Sequence, residues 1–269
     1  MQKQTGFVAL QDARLYFEIT GAGSPVLLLH AGIADHRMWD AQCAELAKQF
    51  RLIVPDLRGY GLSNTENLPF RHSEDVHALI QHLELDTVSV AGCSIGGRVA
   101  LDLAITHPED VGALILVAPG LRGYDYKDEE TLAKDAILEE LIASDKREEA
   151  ADMLVDIWVV GLHRSRAAVS SGIRSLVRGM ILDNFDAVAD RFQETTAEHD
   201  MISRLSDIDK PTLIIVGNRD LPDMQAISKL IVEKIPGAKR LVIPGTAHFP
   251  NLEKASLFNR AVAQFLASA

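Results

Sequence analysis

Apolar and polar positions follow two rhythms along this chain. From Phe7 to Ile19 they alternate on either side of Gln11-Asp12, which predicts a hairpin of two edge strands with one wet face. Short continuous apolar runs follow at Pro25 to Leu29, Leu52-Ile53-Val54, Thr87 to Ala91, Ala113 to Val117, Thr212 to Val216 and Arg240 to Ile243. Such runs suit strands buried on both faces, as in a parallel sheet covered by helices. Helical spacing lies between them, over Ala41 to Gln49, Ser73 to Leu83 and Ile95 to Thr106. In the last of these, Val99, Ala100, Leu103 and Ala104 share a face, and Pro108 sets the end. Strand and helix in alternation predict an α/β fold with right-handed crossovers and an open parallel sheet.

The rhythm changes near Leu121, and no strand-like run appears before Asp207. Asp145 and Glu148 have the spacing of a capping box, ahead of Met153, Leu154, Ile157 and Trp158 at helical intervals. The strand rhythm resumes at Pro211. Loops between strand and helix are far shorter than this. The pattern therefore predicts a helical cap over residues 121–207, inserted after the sixth strand into a core of 1–120 and 208–269.

Composition narrows the functional classes. A chain of 269 residues, 47% hydrophobic, can bury one large core. A net charge of −11 argues against nucleic acid and against an anionic membrane surface as partners. Cys43 and Cys93 are too few and too isolated for a disulfide scaffold or a cysteine-based zinc site. With no apolar signal core or membrane-spanning run, the expectation is a cytoplasmic protein with a small-molecule substrate. No His/Cys/Asp/Glu set shows metal-ligand spacing, so no metal is expected. Oligomeric state leaves no mark in the sequence.

The sharpest chemical signal is Gly92-Cys93-Ser94-Ile95-Gly96, a Gly-x-Ser-x-Gly that follows an apolar strand and opens a helix. A tight strand-to-helix turn projects the hydroxyl of Ser94, and glycines at both ends leave room for neighbouring elements. The Ile95 amide, at the helix start, would face a developing oxyanion.

Serine needs a base to remove its proton. Of nine histidines, His248 follows the last strand-like run. His36, His72, His77 and His82 come early, His107 ends a helix, and His163 and His199 fall in the insertion. The base needs a carboxylate to fix its tautomer. Asp220 lies just past the strand Thr212 to Val216, with Asp223 as the nearby competitor; either could instead cap the following helix. Val117-Ala118-Pro119-Gly120 offers no carboxylate at the end of the preceding strand. In the loop His30-Ala31-Gly32-Ile33 the Gly32 amide is favoured over that of Ala31 as the second oxyanion donor, and His30 reads as structural. The loop Asp56 to Ser63 reads as scaffold, with Asp56 and Arg58 positioned to brace it. Cys93 reads as a buried, inert thiol.

In order, the His30-Ala31-Gly32 loop, the Asp56 to Ser63 loop, the Ser94 elbow, Gly217 to Asp220 and the His248 loop resemble the α/β-hydrolase family. Ala31 departs from the glycine often found there. The resemblance implies an eight-stranded, mostly parallel sheet with its second strand antiparallel, a variable cap and no cofactor. It implies acyl transfer from a small carboxylic ester or lactone to Ser94 and then to water, with Ser94, Asp220 and His248 as triad and Ile95 and Gly32 as oxyanion donors. Carbon–carbon bond hydrolysis, cofactor-free perhydrolysis and a small-molecule receptor with weak turnover use the same residues.

Overall fold

A computed structural model describes residues 3–66, 68–189, 191–195 and 200–269. His199 lies outside the described residues. In chain order the strands are β1 (Gln4–Ala9), β2 (Arg14–Thr20), β3 (Pro25–Leu29), β4 (Arg51–Pro55), β5 (Val88–Cys93), β6 (Val111–Val117), β7 (Thr212–Gly217) and β8 (Lys239–Ile243). The helices are α1 (Asp40–Leu46), α2 (His72–His82), α3 (Ile95–Thr106), α4 (Glu129–Ala143), α5 (Arg147–Leu154), α6 (Ser171–Asp183), α7 (Phe185–Val188), α8 (Met201–Arg204), α9 (Pro222–Lys234), α10 (Pro250–Glu253) and α11 (Ala255–Leu266). The strands form one eight-stranded sheet in the order β1-β2-β4-β3-β5-β6-β7-β8. β2 runs antiparallel to both β1 and β4, and every other pairing is parallel.

The continuous apolar runs are explained by two packed faces. In β3, Leu27 and Leu29 pack on one side of the sheet and Val26 and Leu28 on the other; in β6, Leu114 and Leu116 oppose Ile115 and Val117 in the same way. Alternate side chains of a strand point to opposite faces, so a strand covered on both sides must be apolar throughout. Residues of α2, α3 and α9 complete the first layer, and those of α1 and α11 the second.

Between β6 and β7 the described residues contain helices α4 to α8 and no strand of the sheet. Their apolar residues join both layers: Ile157 and Met201 the first, Ala151, Leu154, Val177 and Ile181 the second. After α5 the chain makes a π-helical turn, Val155–Val160, which ends at Gly161 in the left-handed region (φ 87°). No described helix is long and apolar enough to cross a membrane.

Two local expectations are corrected. The β1–β2 hairpin is not a pair of edge strands with one wet face: of the two, only β1 lies at the sheet edge, and β2 is buried from Leu15 to Ile19 between β1 and β4. Asp145 does not cap α5, whose N-cap is Lys146 without a side-chain bond. Asp145 instead terminates α4 at φ 51°, with the Lys146 amide donating to the Leu141 carbonyl at 2.9 Å. A left-handed residue after a helix closes its last carbonyls, and that role claims Asp145 first. Asp56 and Arg58 brace their loop, as expected. Asp56 accepts from the His36 ring and the Leu62 amide, while Arg58 pairs with Asp75 and Asp12.

Candidate active site

Ser94 is the single residue between β5 and α3, at φ 54° and ψ −112°. Such a conformation costs about 1–3 kcal/mol for a residue with a Cβ and persists only where its surroundings impose it. Here they do. The Ser94 amide donates to the Val117 carbonyl at 2.9 Å, and its carbonyl accepts from the Arg98 amide at 3.0 Å and the Gly120 amide at 2.9 Å. A Cβ on Gly92 would lie 2.1 Å from the Gly96 carbonyl oxygen, and one on Gly96 2.4 Å from that of Leu29. The elbow thus requires glycine at both positions, as the motif predicts. Beside it Cys93 is fully buried, and burial pushes its thiol far up.

His248 and Asp220 meet across the ends of β7 and β8. Gly217 packs against the carbonyls of Thr246 and Ala247, and the Arg219 amide donates to the Thr246 carbonyl at 2.9 Å. Nδ1 of His248 then lies 3.0 and 3.1 Å from the two carboxylate oxygens of Asp220, with both side chains buried. A proton on Nδ1 held by that carboxylate leaves Nε2 unprotonated and able to act as a base. Asp223 does something else: it accepts from the amides of Lys127 and Asp128, each at 2.9 Å, and from the Tyr124 hydroxyl.

Ser94, His248, Gly32 and Ile95 line one cavity of about 630 Å³. The Ile95 amide is the first of α3 and has no acceptor within its helix. The Ala31 amide points at the Met38 sulfur, 3.2 Å away, and Ala31 is buried, whereas Gly32 reaches the cavity wall. His30 is structural, as expected. Its Nδ1 donates to the Ala31 carbonyl, its Nε2 accepts from the Leu57 amide, and burial lowers its basicity.

Of the apolar stripe in the insertion, Trp158 lines the cavity while Leu154 and Ile157 are buried in packing. The β8–α10 loop is tied to the helical segment between β6 and β7 as well. Glu253 accepts from the Ala247 amide at 2.7 Å and pairs with Arg164.

The sequence reading did not select the polar wall of the cavity, which includes Tyr60, His72, Arg98, Arg122, Tyr124 and Glu194. Arg98 had a signal, since it stands one helical turn after Ser94. Glu194 had none: it comes from a segment that pairs with Phe70 through a single β-bridge. Arg98 and Glu194 form a two-pronged ion pair at 2.9 and 2.7 Å. Burial would push the Glu194 carboxyl up, but the Arg98 hydrogen bonds, with the charges of His72, Arg98 and Arg122, hold it below its ordinary value. Burial lowers His72 to about 4, with Arg98, His30 and Arg58 acting in the same direction and Glu194 against it.

Tertiary structure also assembles two groups that the chain order disguises: His77, His107 and Asp110, and Asp35, His36 and Asp56. Each brings three potential ligand atoms together, which sequence spacing did not reveal. Protein partners already engage them. Asp110 accepts from His77 and Gln81, Asp35 from Arg37 and Asn184, and Asp56 from His36 and Leu62. None of the six lines the cavity.

A family model described as the alpha/beta hydrolase fold matches residues 24–255. A putative 2-succinyl-6-hydroxy-2,4-cyclohexadiene-1-carboxylate synthase of Bacillus subtilis is 28% identical over 258 residues, covering 92% of this chain and 92% of its own. A 2-hydroxymuconate semialdehyde hydrolase of Pseudomonas sp. strain CF600 is 29% identical over 266 residues, covering 93% and 89%. Among solved structures, a thermophilic esterase from Thermogutta terrifontis with malate bound is 26% identical, with a TM-score of 0.80 and 98% of each chain covered.

Proposed function

Because the chain belongs to the α/β-hydrolase family and is a hydrolase, we propose that it cleaves a small carboxylic ester or lactone through an acyl-enzyme on Ser94. The observation that carries this reading is the buried contact between His248 Nδ1 and Asp220, with His248 and Ser94 both on the wall of one cavity. His248 Nε2 takes the proton of the Ser94 hydroxyl as Oγ attacks the carbonyl carbon. The amides of Ile95 and Gly32 receive the oxyanion. His248 returns the proton to the leaving alcohol. It then activates water to release the acid and free Ser94. Asp220 stays ionised throughout and holds the imidazole in the working tautomer.

Residues 121–207 act in this reading as a cap over the mouth of the site. Leu121, Trp158 and Glu194 support this, since each lines the cavity that holds Ser94. Carbon–carbon bond hydrolysis on the same residues is the second reading, favoured by the likeness to the semialdehyde hydrolase. A panel of short esters, lactones and vinylogous diketones tests the choice. Turnover of esters or lactones above the diketones supports the first reading, and the reverse order supports the second.

A further inference from the structure

Three arginines line the cavity, and their counter-ions differ in kind. Arg58 is neutralised by Asp75 and Asp12, and Arg122 by Asp102. None of these aspartates belongs to the cavity wall. Arg98 alone has its counter-ion inside: Glu194 is the sole carboxylate on the wall among the described residues. The two sit on different parts of the chain. Arg98 lies on α3, its amide bonded to the Ser94 carbonyl, whereas Glu194 comes from the end of the insertion.

The backbone aims Glu194 at its partner. The Phe70 amide donates to the Gln193 carbonyl at 3.1 Å, and the Thr195 amide to the Phe70 carbonyl at 2.7 Å. The Thr195 hydroxyl also donates to the Phe70 carbonyl. Phe70 is itself fixed between the Arg58 guanidinium, 4.8 Å from its ring centre, and the His72 ring at 4.9 Å. Residues 193–195 are therefore pinned on both sides of Glu194, and its carboxylate spans the guanidinium fork with both oxygens. Glu194 holds both Nη1 and Nη2 of Arg98, the two donors that an end-on, two-pronged bond to a substrate carboxylate would need, and its negative charge repels a second carboxylate there.

We propose that Glu194 sets the charge selectivity of the site. It fills an anion-binding position at Arg98, one helical turn from Ser94, so that the cavity admits uncharged substrates and turns away those carrying a carboxylate. The proposal rests on the reading of the cavity as that of an ester or lactone hydrolase and names its substrate class. In effect Glu194 is a resident stand-in for a substrate carboxylate, and its removal would leave the Nη1 and Nη2 donors of Arg98 open to one.

The test compares 4-nitrophenyl hexanoate with two anionic esters. These are mono-4-nitrophenyl adipate, with the carboxylate on the acyl side, and 3-carboxyphenyl hexanoate, with it on the alcohol side. The wild-type protein should favour the uncharged ester by kcat/KM. Glu194→Gln keeps the shape of the side chain and removes its charge. It should raise the anionic-to-neutral ratio at least about tenfold for one of the two anionic esters, and Arg98→Met in that background should cancel the gain. Calorimetric titration with adipate gives a readout independent of turnover, with binding absent in the wild type, present in Glu194→Gln and lost in the double variant. A wild-type preference for the anionic esters, an unchanged ratio in Glu194→Gln, or a gain that survives Arg98→Met would each overturn the proposal. If adipate binding follows the expected order but no ester is cleaved, the charge assignment stands and the ester reading falls.

Discussion

The indole of Trp158 lies against the imidazole of His248, ring centres 4.5 Å apart and planes inclined at 52°, and the His248 amide donates to the Trp158 carbonyl at 3.4 Å. A residue of the helical segment between β6 and β7 thus touches the proposed base with both its backbone and its side chain. Trp158 stands in the last turn of the π-helical segment, where carbonyls lack a partner within the helix and accept from outside donors. An aromatic contact of this kind is worth ~0.5–1.5 kcal/mol, or about two- to twelvefold in rate if it is needed to orient the ring. Trp158→Ala should lower kcat within that range and alter the preference between short and long acyl esters. Trp158→Phe should restore most of kcat. Unchanged kcat and unchanged selectivity in Trp158→Ala would remove the indole from any role in the site.

Ser94→Ala should cost at least about a thousandfold in kcat, because the members of a triad act as a unit. A fluorophosphonate should label the wild-type protein at Ser94 alone, as read by peptide mass spectrometry. Modification of another residue, or near-normal turnover by the variant, would assign the chemistry elsewhere.

Asp220 and Asp223 lie three residues apart and should fail in different ways. Asp220→Asn leaves His248 without the acceptor that fixes its tautomer, a loss on the order of 10⁴ in kcat. Asp223→Asn weakens charge-assisted bonds to the Lys127 and Asp128 amides, of a kind worth about 1.5–3 kcal/mol each, so its main effect should be a lower Tm. Thermal melts beside kinetics on both variants decide the matter. A larger kinetic loss in Asp223→Asn would exchange the two roles.

His72 should make the fold acid-sensitive. Burial holds it at about 4 in the folded protein, against 6.5 as its ordinary value. The unfolded chain therefore takes up a proton as the pH falls below 6.5, and the folded chain does not until near 4. The stability linked to this group is complete above 6.5 and lost as the pH falls towards 4, by about 3 kcal/mol in all. Chemical unfolding followed between pH 7 and 4 should show a shallower decline in His72→Gln than in the wild type. Equal slopes would refute the linkage.

Dialysis against EDTA should leave kcat/KM unchanged, since the proposed chemistry needs no Lewis acid and both His-carboxylate groups lie off the cavity wall. A loss of activity restored by zinc or manganese would contradict the mechanism.

Where a physical constraint is local, the sequence by itself determined the outcome. Strands covered on both faces are largely apolar, so β3 to β7 stand out as apolar runs, whereas alternation marked a wet face correctly in β1 and wrongly in β2, which is buried from Leu15 to Ile19. The elbow requires glycine at 92 and 96 because backbone carbonyls stand where a Cβ would be, and that demand is written as a five-residue motif. Asp220 and His248 could be selected because each follows a recognisable strand. Only the tertiary structure decided which side chains meet across long stretches of chain. Asp56 took His36, and Arg58 took Asp75 and Asp12, partners that the loop's own sequence does not name. Trp158 came to rest on His248, and Glu194 reached Arg98 through a bridge to Phe70. Contacts between residues 90 or more positions apart are set by how helices and loops pack over the sheet edge. Such packing has no period and no fixed spacing, so no local pattern along the chain records it.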